Sequence, residues 1–203
     1  MQFSAVILSL AATSCAAFAP SANVRANTML DASIYDTIGS LEGPGQVWGA
    51  EGIAVGKEEA ELKGYDNFSL FHARLASTGV AATLQGPGPF TVFAPTDTAI
   101  ESHETMVGPF DAACANYCIV PGQISCGGVA TQPLTTLQGQ AITYSRKFRK
   151  DFVDDAILAE ATFGAFSNFP VDVACDNGVI HSIGMVIAPG YGAVGGGTGQ
   201  TQL

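Results

Sequence analysis

At 203 residues the chain has room for one domain with a sizeable core plus appendages, rather than two full domains. Hydrophobic residues make up 47% and charged residues 13%, which excludes a disordered chain and calls for a folded body. A formal net charge of −10 repels phosphate backbones and anionic lipid surfaces at long range, so nucleic acid is not an expected partner.

Residues 1–17 form an apolar run closed by Cys15, Ala16 and Ala17, a small-x-small pattern before Phe18, and read as a signal peptide although the run has no Lys or Arg ahead of it. The run is shorter than the roughly 18 apolar residues of a membrane span, and no later stretch reaches that length, so the mature protein is expected not to span a membrane. The junction CAAFAP, Cys15 to Pro20, resembles the cleavage motif of plastid-targeted proteins in diatoms and related algae. That resemblance implies entry through the endoplasmic reticulum, a transit segment over residues 18–27 and residence in the plastid stroma. Simple secretion is the alternative address.

From Thr28 to Gly39, Met29 or Leu30, Ile34 and Ile38 recur at near-helical spacing and predict a first helix. Residues 41–64 are Gly-rich, acidic and without a sustained period, and predict an irregular insertion holding the sole tryptophan, Trp48. Asn67 or Ser69 is placed to cap a helix carrying Phe68, Phe71 and Leu75 and ended by Gly79. His72 falls in that helix as a boundary residue, and Asn67, Phe68 and Ser69 also spell a glycosylation sequon. Gly86 to Pro89 then force a turn.

Phe90 to Ala94 are almost continuously apolar and favour extended chain, so they predict a central strand covered on both faces. Pro95 ends it, and Thr98 with Glu101 has the spacing of a capping box at a new helix. Ala112 to Cys118 are expected to be helical and Ile119 to Ile124 extended. Pro133 to Ser145 read as a strand pair about Gly139, and VDDAILAEATF as a continuation of the β pattern. Arg146, Lys147, Arg149 and Lys150 hold half of the chain's eight basic residues at one hairpin tip, either a solvated turn or a contact for an acidic partner. Val171 to Cys175 and Val179 to Ala188 form a hairpin across the Asn177-Gly178 step. Residues 190–203 predict a flexible Gly-rich tail.

The segment FTVFAPTDTAI, with Thr91, Phe93, Ala94, Pro95, Thr96 and Asp97, resembles the first signature box of the fasciclin domain family. DNGVIHSIGMVIAP, with Asn177, Gly178 and His181, resembles the second. Between them ANYCIVPGQI is similar to the family's tyrosine-histidine segment, with Tyr117 retained and Cys118 standing where the histidine normally stands. The resemblance implies one α+β domain over residues 28–189, a twisted β-wedge or small β-sandwich with several helices. It also implies a non-enzymatic adhesion or protein-interaction module, with His181 in the structural core. The cysteine at position 118 leaves open whether the family's usual contact at that segment carries over.

Candidate chemistry is thin. Cys114, Cys118, Cys126 and Cys175 read as buried free thiols or one disulfide, with a metal cluster as the weaker fit because no paired CxxC units occur. A Cys118–His181 dyad, or a thiol redox pair of Cys118 with Cys114, would be the competing enzymatic function. Asp97 is explained by helix capping before general-base chemistry. No phosphate-binding loop follows a strand, so no cofactor is expected. The surfaces expected to meet a protein partner, whether a thylakoid complex or an extracellular matrix component, are the acidic 41–64 arm with Trp48, the Arg146 to Lys150 tip, and the region of Tyr117 and Cys118.

Overall fold

The computed structural model describes residues 32–47, 62–159 and 169–190. The signal and transit segments, Trp48 with most of its arm, and the Gly-rich tail lie outside the described residues. Helix α1 spans Ile34–Ser40, and Ser33 caps it by accepting a hydrogen bond from the Asp36 N–H. The arm begins and ends in regular structure, which corrects the expectation of an irregular segment: β1 (Gly45–Val47) and β2 (Leu62–Tyr65) pair antiparallel as a two-stranded ribbon. The register brings Gly45 opposite Tyr65, a contact across 20 residues that no local period announces.

Helices α2 (Ser69–Ser77) and α3 (Ala81–Leu84) follow, then strand β3 (Phe90–Pro95) and helix α4 (Asp97–Met106). Gly79 takes the left-handed conformation, φ 77°, just beyond α2, as its helix-ending role requires. The predicted caps are replaced by a reciprocal arrangement. Neither Asn67 nor Ser69 caps α2; the Asp97 carboxylate accepts from the Leu70 N–H at 2.7 Å instead. In return the Asp66 carboxylate accepts from the Thr98 N–H at 3.0 Å, at the start of α4. Because α4 opens at Asp97, with Thr96 in the cap position, Thr98 is already inside the first turn and the Thr98–Glu101 capping box cannot form. Each acid thereby answers the orphan N–H groups and positive end of the other's helix. Asp97→Ala is expected to cost about 1–2 kcal/mol and Asp97→Asn less, measured by urea unfolding.

Helix α5 (Ala112–Tyr117), capped by Asp111 through the Cys114 N–H, runs into β4 (Ile119–Pro121) and a short 3-10 turn, Cys126–Gly128. The strand pair expected about Gly139 reduces to a single bridge, Thr135 to Ala141; Gly139 does make the turn, at φ 100°. The extended chain that follows belongs to a different pairing, β5 (Tyr144–Lys147) with β6 (Lys150–Val153), and β6 pairs in turn with β7 (Ala156–Leu158). The final hairpin forms as the Asn-Gly step indicates, β8 (Val173–Cys175) against β9 (Gly178–Ile183).

The seven-stranded sheet runs in the order β4-β3-β9-β7-β6-β5, with β8 branching onto β9. Strand β3 lies between antiparallel β4 and parallel β9, and every residue from Thr91 to Pro95 is buried, so both faces are covered as the apolar run predicted. Phe68, just ahead of α2, and Phe71, Leu75 and Ile100 from the helices pack into one core with Val92, Phe93, Ile119, Ile180 and Ile183 from the sheet. The result is an α+β domain.

Candidate functional site

The two signature segments are adjacent strands. β3 and β9 run in parallel register, with Thr91 opposite Val179 and Phe93 opposite His181. At the start of this pairing Gly178 sits so close to β3 that a Cβ there would lie 1.9 Å from the Phe90 carbonyl oxygen, and its φ of 149° disfavours any side chain. Asn177, one residue earlier, ties three segments together. Its side-chain oxygen accepts from the Ile34 N–H at 2.8 Å, and its amide donates to the carbonyls of Leu84 and Gly86 at 2.6 and 2.9 Å. Its own carbonyl accepts from the Phe90 N–H. Thr91 does similar work toward the segment after β4, donating to the Gly122 carbonyl and accepting from the Ile124 N–H. Phe93, Ala94 and Thr96 are buried with it. Asp97 is the reciprocal cap.

His181 is fully buried, and both ring nitrogens are engaged by backbone. Nδ1 accepts from the Asp172 N–H at 3.1 Å, which leaves Nε2 as the donor to the Ile124 carbonyl at 2.8 Å. Burial holds the imidazole below its ordinary value, so it stays neutral. A group whose folded pKa is depressed in this way as a base contributes stability that is present above the ordinary value of 6.5 and lost as pH falls below it. The urea midpoint is therefore expected to drop on acidification through that range. His103, also held down by burial, acts in the same direction, so the flatter profile of His181→Gln isolates the contribution of His181.

The segment between the boxes departs from the expected contact surface. Tyr117 is 1% exposed and Cys118 is 0% exposed, because α5 turns both into the core against the sheet. The Tyr117 hydroxyl donates to Asp154 at 2.8 Å, and the other oxygen of Asp154 accepts from the Thr143 N–H at 2.8 Å. Asp154 is itself buried, with its carboxyl raised above the usual carboxylate range by that burial. Its left-handed φ of 53° places it at the turn between β6 and β7. This acid was not singled out in the sequence; the only signal was the Asp154-Asp155 step between two short β runs. The Cys118 thiol reaches the Ile187 carbonyl, and burial pushes it strongly upward. With both His181 nitrogens already bound to backbone, the dyad has no free imidazole, and the Tyr117–Cys118 region is a core element rather than a docking face.

The four cysteines among the described residues are free thiols; Cys114, Cys118 and Cys175 are buried and Cys126 is half-buried. Burial raises Cys114 to about 11, Cys126 and Cys175 upward as well. Among the described residues, no three His, Cys, Asp or Glu side chains converge as a metal site. Asn67 is exposed, with its side-chain oxygen accepting from the Gly43 N–H. His72 stacks on Tyr35 at 4.1 Å as a boundary residue. Two surface features stand out among the described residues. Arg146, Lys147, Arg149 and Lys150 surround the exposed β5–β6 turn, as the sequence indicated. An open groove lined by Arg74, Ser77, Glu104, Pro109 and Phe110 lies near the exposed Met106 and Val107, which the sequence reading did not single out.

The fasciclin domain profile matches residues 66–189, taking in both signature strands and the segment between them. The chain belongs to the fasciclin domain family. Protein sll1483 of Synechocystis sp. is 32% identical over 135 residues, covering 62% of this chain and 69% of that protein. The transforming growth factor-beta-induced protein ig-h3 of Sus scrofa is 31% identical over 136 residues, and this chain covers 18% of its length. A solved FAS1 domain pair from the insect cell adhesion molecule fasciclin I aligns over 61% of this chain and 47% of that one, at 15% identity and a TM-score of 0.42. In this fasciclin domain the two signature strands and the Tyr117 segment are parts of one packed core.

Proposed function

We propose that this fasciclin domain is a non-enzymatic protein-interaction module. One observation carries the reading: the groups in its signature segments that are able to do chemistry, His181, Cys118 and Tyr117, are buried and bonded within the domain, while its charged and apolar features project elsewhere. A thiol redox function of Cys118 with Cys114 would need a low-pKa, accessible sulfur, and burial drives both thiols the other way. Among the described residues, the surfaces open to a partner are the Arg146 to Lys150 tip and the groove near Met106 and Val107, and the 41–64 arm with Trp48 is proposed as a third contact from its sequence alone. Affinity capture of the tagged chain from its native source, followed by mass spectrometry, tests this. A stoichiometric partner lost on changing surface residues supports the reading, and recovery of no protein partner contradicts it.

The CAAFAP junction supports a finer reading, an accessory protein of a plastid complex. A C-terminal fluorescent fusion is expected to reach the plastid and to miss it when Phe18 is changed to Ala. Secretion of both versions would place the domain outside the cell and make Asn67 a candidate glycosylation site.

A further inference from the structure

The outermost hairpin of the sheet carries a feature that the fold does not use. Strands β5 and β6 are joined by Phe148 and Arg149, both in the left-handed region at φ 51° and 64°. Two-residue turns of this kind favour Asn-Gly, because residues with side chains are strained there. Here the first position holds a phenylalanine that is 94% exposed. Arg146 and Lys147 precede it, Arg149 and Lys150 follow it, and all four are exposed. Arg146 lies 3.4 Å from Asp151, whose carboxylate also accepts from the Tyr144 hydroxyl. Strand β5 ends the sheet order, and Lys or Arg on an edge strand discourages pairing with another chain. That accounts for cations along the strand and leaves Phe148 unexplained.

We propose that this tip docks on an anionic lipid surface. Phe148 enters the boundary between headgroups and acyl chains, and Arg146, Lys147, Arg149 and Lys150 pair with headgroup phosphates. A ring on a convex tip loses its water against a protein only if a fitted socket receives it, whereas a bilayer yields around it. The body's negative charge opposes approach at long range, but at physiological salt the Debye length is about 8 Å, so at contact the cluster dominates over acids farther away. The attachment is accordingly local, reversible and weakened by salt. It assigns the tip to lipid, so that a protein partner would engage the groove near Met106 and Val107 instead.

The test is co-sedimentation of the full chain with phosphatidylcholine vesicles and with vesicles that also contain phosphatidylglycerol. The apolar residues 1–17 are common to every version, so differences among variants report on the tip. The unmodified chain is expected to favour the anionic vesicles. Phe148→Ser, and the combined change of Arg146, Lys147, Arg149 and Lys150 to Gln, are each expected to reduce that partition about tenfold or more, while Phe148→Leu retains it. These side chains are exposed and a surface pair such as Arg146–Asp151 contributes little, so thermal unfolding should change little and a misfolded variant is recognised directly. Equal partition of all versions, or equal binding to neutral vesicles, overturns the proposal. Retention on immobilised poly-glutamate through the same residues, without vesicle binding, overturns it in favour of an acidic protein partner.

Discussion

Gly178→Ala is expected to remove cooperative folding, or to lower stability by more than about 3 kcal/mol. The reason is the close approach that joins the two signature strands. A Cβ at position 178 would lie 1.9 Å from the Phe90 carbonyl oxygen and 2.7 Å from its nitrogen, and both are backbone atoms that cannot step aside. Relief requires β9 to withdraw from β3, which breaks the parallel ladder running from Phe90–Gly178 to Pro95–Ile183 at the centre of the core. The Asn177 bonds to Ile34, Leu84 and Gly86 are strained by the same shift. Gly127→Ala is the control: nothing lies within 4 Å of a Cβ there, so its urea midpoint should shift by no more than about 0.5 kcal/mol equivalent. A Gly178→Ala protein as stable as that control would contradict the packing described.

Asp154→Ala is expected to cost about 3 kcal/mol, because it leaves the Tyr117 hydroxyl and the Thr143 N–H without their buried acceptor. Asp154→Asn separates hydrogen bonding from charge. Asn tolerates the left-handed φ, its oxygen still accepts from Thr143, and its amide can donate to the Tyr117 oxygen, whose proton turns toward the Ala141 carbonyl at 3.4 Å. The pH dependence has a definite sign. Burial raises the Asp154 carboxyl in the folded state, so its stabilising contribution is present at acid pH and is lost as pH rises through the folded value. Asn does not titrate. The stability of Asp154→Asn relative to the unmodified chain is therefore expected to improve as pH rises above the ordinary carboxylate value of about 4, followed by urea midpoints.

What could be read from the sequence follows from how far each feature reaches along the chain. Strand β3, helix α5 and the Asn177-Gly178 hairpin were legible because apolar runs, helical spacing and turn residues act over a few neighbours. The caps of α2 and α4 were not, since Asp97 and Asp66 each serve a helix about thirty residues away. The sequence places the Tyr117 region at a contact surface, outside the two signature boxes, and the six-residue α5 is too short to show that this face is buried; its partner Asp154 lies 37 residues on. The basic tip was visible as SRKFRK, but the exposure of Phe148 follows only from the register that makes it the first residue of the turn.

The central claim is that the signature segments are scaffold and that their polar and thiol groups are closed to chemistry. Iodoacetamide labelling at neutral pH, read cysteine by cysteine by mass spectrometry in folded and urea-unfolded protein, tests it most directly. In the folded chain Cys126, half-buried, should react first, and Cys114, Cys118 and Cys175 should stay unmodified while the unfolded chain reacts fully. Rapid labelling of Cys118 in the folded protein, abolished by His181→Ala, would contradict the account and restore a thiol enzyme.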